Sequence, residues 1–334
     1  MNTLVTGGAG FIGSHVAEHL LRMGHDVVVL DDLSGGNVDN IPRGAKFVQG
    51  DICDVRLVDN LFAEQKFEVV FHLAAYAAEG LSHFIRRYNY TNNLVGSVTL
   101  LNAAINNGVR RFVFTSSIAV YGANQLPMTE DLIPSPEDPY GIAKLAVEQD
   151  LRSAFEMFGL EYVIFRPHNV YGERQNIGDS YRNVVGIFMN RLLQGLSLPI
   201  FGDGSQTRAF SYIGDVAPII ARGGFEPGAR NETFNVGADQ PVSVRALAEE
   251  VCREFGCEGR LEYLPARHEV LHAFSSHDKV RQVFGDSASV PLREGITRMA
   301  TWVREVGARQ SPRFEAIEVL RNLPPSWAAY RNPR

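Results

Sequence analysis

The first 31 residues read as a strand, a glycine-studded turn, a helix and a second strand, and this opening constrains the chain more than any other feature. Thr3–Thr6 is a short apolar strand, and Gly7, Gly10 and Gly13 follow in a G-x-x-G-x-x-G spacing. A helical pattern then runs from Ser14 to about Met23, with Val16, Leu20 and Met23 on one face. After Gly24, residues Asp26–Leu30 (DVVVL) form an unbroken apolar run, as a parallel strand covered on both faces requires. The alternation continues with strands at Lys46–Gln49, Val69–Leu73, Phe112–Thr115 and Tyr162–Phe165, and helices at Val55–Glu64, Tyr90–Asn106 and Tyr140–Phe158. Such alternation predicts a doubly wound α/β fold, a parallel sheet with right-handed crossovers.

Beyond Arg166 the pattern loosens into Gly-, Asn- and Pro-rich loops. Helices are expected at Val184–Gln194, Val244–Phe255 and Leu292–Val306, with a strand near Gly259–Tyr263. The expected organisation is a Rossmann-type dinucleotide domain over residues 1–166, with return segments near 209–236. A smaller, partly discontinuous lobe takes most of 167–310, over the carboxyl ends of the strands, and 311–334 forms a tail.

Glycines at the first turn let backbone amides approach a pyrophosphate at a helix N-terminus, which makes Gly7, Gly10, Phe11, Ile12 and Gly13 a cofactor loop. Asp31 ends the second strand 18 positions after Gly13, where a carboxylate accepts both hydroxyls of an adenosine ribose. It would repel a 2′-phosphate and no Arg or Lys stands beside it, so the expected cofactor is NAD. Asp32 reads as a contact or a solvated turn residue. Asp51-Ile52 follows the third strand, where Asp51 meets an adenine amino group or caps the next helix.

Tyr140 and Lys144 stand four residues apart at the start of a helix and therefore share a face. An ammonium beside a phenol, together with an oxidised nicotinamide, favours phenolate and yields a general base near neutral pH. The Ser116-Ser117 pair precedes them at the end of a strand.

TGGAGFIGSH (Thr6–His15), HLAA (His72–Ala75), SSIAVYG (Ser116–Gly122), PYGIAK (Pro139–Lys144) and RPHNVYG (Arg166–Gly172) together resemble the extended short-chain dehydrogenase/reductases, in their nucleotide-sugar epimerase branch. The resemblance runs from residue 3 to about 305 and leaves the tail uncovered. It implies a catalytic set of Ser117, Tyr140 and Lys144, with Ser117 bridging a sugar hydroxyl to Tyr140. It further implies NAD contacts from Leu73, Ala74, Ala75, Asn93, Ser116 and Pro167, with Lys144 on the nicotinamide ribose; Ser116 either faces the nicotinamide or supports the strand end. Asn93 has an ordinary helix-surface role as its alternative. On the substrate side it implies Asn169, Asn183 and Arg208 at a diphosphate, and Arg267 and Glu269 at phosphate and uridine ribose. For either arginine the alternative is an ordinary surface salt bridge. Ala273 takes the place of a gatekeeper that is often tyrosine. His168 replaces a common Phe and either offers a polar edge to the sugar or is a hydrogen-bonded structural residue.

The reaction expected from the resemblance is C4 epimerisation of a UDP-sugar through a transient 4-keto intermediate. Dehydratases of this branch carry Asp-Glu directly after the serine, and decarboxylases carry Glu before VYG; here Ile118-Ala119 offers neither. The sugar is left open between UDP-glucose/UDP-galactose and UDP-glucuronate/UDP-galacturonate, since Thr115, Ser116, Arg86 and Arg182 are available to a C6 carboxylate. Two other readings stay open: a 4-ketoreductase or epimerase of a dTDP- or GDP-deoxysugar, and a non-catalytic scaffold binding NAD or a nucleotide-sugar. Homodimerisation through helices 90–106 and 140–158 is expected by analogy.

A net charge of −6 gives no electrostatic footprint for nucleic acid or an anionic membrane, and no run approaches the ~20 apolar residues of a span. Cys53, Cys252 and Cys257 form no disulfide framework and no zinc spacing, so no metal is expected. Met1–Val5 leads straight into a strand with no basic or cleavable leader, and the expected location is cytoplasmic.

Overall fold

The computed structural model describes residues 1–179, 181–257, 259–266, 270–286, 289–311 and 317–324. Strands β1 (Asn2–Thr6), β2 (Asp26–Asp31), β3 (Lys46–Gln49), β4 (Val69–His72), β5 (Arg111–Thr115) and β6 (Glu161–Pro167) form the centre of the molecule. They order themselves 3-2-1-4-5-6, and every pairing is parallel. Helices α1 (Phe11–Arg22), α2 (Val55–Gln65), α3 (Glu79–Ser82), α4 (Arg86–Tyr90), α5 (Gly96–Asn106) and α6 (Pro139–Phe158) make the crossovers.

The unbroken apolar strands are explained by two cores, one on each face of the sheet. Val5, Val27, Val29 and Phe71 pack with Val16 and Leu20 of α1. Their immediate neighbours Leu4, Val28, Leu30 and Val70 point the other way, onto Val58 of α2, Leu100 of α5 and Val147 of α6.

The second half adds β7 (Val170–Tyr171), α7 (Val184–Leu193), β8 (Leu198–Phe201), β9 (Thr207–Ala209), β10 (Ser211–Tyr212) and α8 (Ile213–Gly223). Then come β11 (Glu232–Val236), β12 (Pro241–Ser243), α9 (Val244–Glu254), β13 (Leu261–Leu264), β14 (His272–Ala273), α10 (Asp278–Phe284) and α11 (Leu292–Val306). β11 returns to the main sheet as its seventh strand, parallel to β6. None of the described helices is long and apolar enough to cross a membrane.

Three helix starts differ from the sequence pattern, each for a local reason. α1 begins at Phe11 rather than Ser14, with Gly10 as its N-cap, so Gly13 lies inside the first turn. The helix expected from Tyr90 starts at Arg86 and passes through a π turn at Thr91–Val95 before continuing as α5. α6 starts at Pro139 because Asp138 caps it, accepting the amides of Tyr140 (2.9 Å) and Gly141 (3.0 Å). The cap of α2 is Asp54, which accepts the Leu57 amide at 3.1 Å; Asp51 is free of that task.

Candidate active site

The carboxyl ends of β1, β2, β4, β5 and β6 open into a cleft of about 410 Å³. Most of the residues singled out from sequence line it. Gly7, Gly10, Phe11, Ile12 and Gly13 form one wall, with Asp31, Asp51 and Ile52 at one end. Leu73, Ala74 and Ala75 pass across, and Ser116, Ser117, Tyr140, Lys144, Pro167, His168, Asn169 and Asn183 close the rest.

The glycine loop is glycine for steric reasons. Gly7 has φ +70°, and a Cβ on it would stand 2.7 Å from the Ala74 amide nitrogen. A Cβ on Gly13 would collide with the Gly7 carbonyl oxygen. The strand end, the crossing loop and the first turn of α1 are therefore in backbone contact, and the first-turn amides of α1 have no intrahelical acceptor. Asp31 is buried, and its carboxylate accepts the amides of Ala9 (3.0 Å) and Leu33 (2.8 Å), which ties the loop to β2. Burial raises its pKa, and those amides work against the rise. A dinucleotide fits this wall: backbone amides at a helix start, a carboxylate at the end of the next strand, and small residues where the backbone must come close.

His72, between the two wall strands, is wholly structural. Its ring nitrogens meet Thr6 Oγ1 and Ser97 Oγ, each at 2.8 Å, and burial lowers its pKa to about 3.

Tyr140 and Lys144 both face the cleft and are almost completely buried. Lys144 Nζ donates to the Thr115 carbonyl at 2.8 Å and lies 5.8 Å from the centre of the Tyr140 ring. Ser117 accepts the Ala119 amide at 3.1 Å and is hydrogen-bonded to the Tyr140 phenol. The expected depression of the phenol is not produced by the protein groups themselves. Burial raises the Tyr140 pKa, opposed by the Ser117 hydrogen bond and assisted by Glu79 and Asp138. Burial also lowers Lys144 to about 7, with Glu148 opposing. Because the folded-state pKa lies below the unfolded one, an unfolded chain binds more protons between pH ~7 and ~10.5. Stability from this group therefore rises with pH across that window, and the full cost of the buried charge is present below it. The melting temperature of wild type should climb relative to Lys144→Met between pH 7 and 10; parallel curves would contradict this.

Behind the catalytic face lies a buried network absent from the sequence reading. Glu148 stands one turn beyond Lys144 on α6 and pairs with Arg166, Oε1 to Nε at 2.9 Å and Oε2 to Nη2 at 2.5 Å. Ser116 Oγ donates to Glu148 at 2.5 Å, so this serine supports the strand end while also lining the cleft. Arg166 continues to Tyr121 Oη (2.7 Å), which donates to Asn235 on β11 (2.9 Å).

Several of the expected contact residues are engaged elsewhere in the protein. Asn93 does not line the cleft: its side chain accepts from Tyr76 N (2.8 Å) and donates to Tyr76 O (3.1 Å) and Asn89 Oδ1 (2.8 Å). It fixes the loop that carries Tyr76. Arg208 also lies off the cleft wall, its guanidinium donating to the carbonyls of Thr207, Val270 and Leu271. Ala273 is buried in β14 against Val120, Tyr121 and Met128, away from the wall. His168 lines the cleft, but Nδ1 meets the Ala209 carbonyl at 2.9 Å and Nε2 meets His277 at 3.1 Å, so its polar edge is engaged within the protein. Arg267 and Glu269 lie outside the described residues. Lining residues that carried no sequence signal include Tyr76, Glu79, Tyr88 and Tyr181, and the buried Thr115 hydroxyl on this wall has no hydrogen-bond partner among the described residues.

With this geometry in hand, the comparisons with known proteins assign the class. Residues 3–237 match the NAD dependent epimerase/dehydratase family. The chain belongs to that family and is an NAD-dependent enzyme. It is 38% identical to UDP-glucose 4-epimerase of Mycolicibacterium smegmatis, over 91% of this chain and 99% of that protein. Among solved structures it resembles the Thermotoga maritima UDP-glucose 4-epimerase with UDP-glucose (TM-score 0.86, 36% identity, 92% of this chain and 99% of that one). The UDP-glucose 4-epimerase of Thermus thermophilus in complex with NAD is similarly close (TM-score 0.86, 34% identity, 91% and 99%).

Proposed function

We propose that this enzyme is a UDP-sugar 4-epimerase that interconverts UDP-glucose and UDP-galactose. The observation that carries the reading is the Ser117–Tyr140 pair at the cleft, followed by Ile118 and Ala119, which bring no acid or base. Elimination of water needs a second acid–base group beside the oxidised carbon, and this segment supplies none. Glu79, which also lines the cleft, comes from α3 and not from the Ser117 segment.

Bound NAD supplies a hydride acceptor that becomes the donor later in the same turnover. Tyr140 Oη would take the proton of the sugar C4 hydroxyl, with Ser117 Oγ as the bridge, and give it back to the C4 oxygen when C4 is reduced on its opposite face. Lys144, anchored on the Thr115 carbonyl, is positioned for the nicotinamide ribose, and Asp31 for the adenosine ribose. The sugar has to turn over between the two transfers while its nucleotide stays put. Asn169 and Asn183 line the cleft and are assigned to the diphosphate.

A hexose is favoured over a uronate by the charges present. Arg182 is already paired with Asp179 and Arg86 is not on the wall. Ser116 is committed to Glu148, and Glu79 adds a negative charge. The purified enzyme, given UDP-glucose, UDP-glucuronate or UDP-N-acetylglucosamine without added cofactor, is expected to convert UDP-glucose fastest. Absence of any C4 epimer would sink the assignment, and a requirement for NADH would point to a ketoreductase. A homodimer is proposed through α6 and through α5 with the π turn that leads into it, where Ile142 and Val95 are 41% and 53% exposed; a monomeric mass by light scattering would dismiss it.

A further inference from the structure

The helix that begins at Arg86 has no cap of its own. Its N-cap position is Ile85, which makes no side-chain cap bond, so the amides of the first turn need an outside acceptor. Glu318 provides it from the far end of the chain. Its Oε2 accepts the Arg87 amide at 2.7 Å and its Oε1 accepts the Tyr88 amide at 2.9 Å. The Glu318 and Val319 amides in turn donate to the Phe84 carbonyl, at 2.8 and 3.1 Å, and Ile317 packs among Tyr76, Tyr88 and Tyr181 around Ala78, Leu81 and Ile85. A carboxylate here is stabilised by both hydrogen bonds and the helix dipole.

What this helix carries gives the contact its meaning. Tyr88 and Asn92 line the cleft, and Tyr88 lies close enough to Asp32 and Asp51 to feel their charges. That is the end of the cleft where Asp31 stands. Asn89 donates to the Pro139 carbonyl at 2.8 Å, at the start of the helix bearing Tyr140, and Asn93 holds Tyr76. The rings of Tyr76 and Tyr88 meet edge to face at 5.3 Å, and the Arg182 guanidinium lies 4.9 Å over Tyr76. An unfastened first turn at Arg86–Tyr88 therefore loosens one continuous piece of cleft wall.

We propose that residues 317–320 form a strap that keeps the dinucleotide end of the cleft closed, with Glu318 as its positioning residue. The strap lies beyond residue 237, where the match to the family model ends. The proposal rests on reading the Asp31 end as the adenosine site, and it does not depend on which sugar is turned over.

The test compares the full chain with Glu318→Gln and with a chain ended after Ser311. The readouts are NAD content after purification, the rate of NAD release on dilution, and hydrogen exchange at the Arg87 and Tyr88 amides. NAD release should accelerate about tenfold in Glu318→Gln and further in the shortened chain, with both amides losing protection. At saturating NAD, kcat should stay within about threefold of wild type, and a synthetic peptide of residues 310–324 should slow release from the shortened chain. Unchanged release in both variants overturns the proposal, as does NAD loss that occurs only together with global melting of Glu318→Gln. A wild-type enzyme that epimerises no UDP-sugar would remove the proposed reaction and leave the NAD-release comparison standing.

Discussion

Tyr140→Phe should lower kcat by about 10²- to 10⁴-fold while NAD content stays at the wild-type level. The ring is almost completely buried at the start of α6, and phenylalanine keeps its volume and packing. Only the hydroxyl is lost, and with it the group proposed to exchange a proton with the sugar. Ser117 cannot take over. Its oxygen already accepts the Ala119 amide, and an alkoxide there has no cation bonded to it, since Lys144 is anchored on the Thr115 carbonyl. Because a general base acts in its deprotonated form, the variant also removes the rise in rate with pH that ionisation of this phenol contributes. A loss smaller than about tenfold would mean that another group carries the proton.

Glu148→Ala should cost about 3–5 kcal/mol of stability, the size expected when one partner of a buried ion pair is removed. The Arg166 side chain is 1% exposed and that of Glu148 is 0% exposed. Truncation leaves a guanidinium without its bidentate acceptor and takes the acceptor from Ser116. It also removes the carboxylate that opposes the desolvation of Lys144, which lowers that ammonium further. Because Arg166 reaches Asn235 through Tyr121, the damage extends to the β6–β11 edge of the sheet. Replacing both partners, Glu148→Leu with Arg166→Met, should recover most of the loss, since an apolar pair leaves no stranded charge. Denaturant unfolding reads both; a single-variant loss under about 1 kcal/mol would show that the pair is dispensable.

Features that depend on local pattern are legible in the sequence. The apolar strands, the helices between them and the Tyr140–Lys144 spacing follow from periodicity, and the parallel, doubly wound sheet follows from their alternation. Gly13 is recognisable as the last glycine of the first-turn pattern even though the pattern starts its helix three residues late, because Gly10 caps without a polar side chain. Glu148 carries a usable signal that the motifs overshadow. Extending the four-residue spacing from Tyr140 through Lys144 lands on it, and an acid on the buried face of a helix needs a partner.

What the sequence does not disclose lies in tertiary arrangement. Asn93 stands beside the right loop but spends its amide on Tyr76, and Arg208 folds back onto carbonyls more than 60 residues away in sequence. His168 finds His277, 109 residues on, a pairing that no local motif announces. Glu318 caps a helix 230 residues earlier, which no spacing rule reaches.

In the proposed reaction one enzyme-held cofactor removes and restores the same hydrogen. This is tested most directly with UDP-glucose deuterated at C4, incubated with the enzyme as purified and no added NAD. The UDP-galactose formed should keep the label at C4, at both early and late conversion. Loss of deuterium to water, or turnover only when NADH is supplied, would contradict the account.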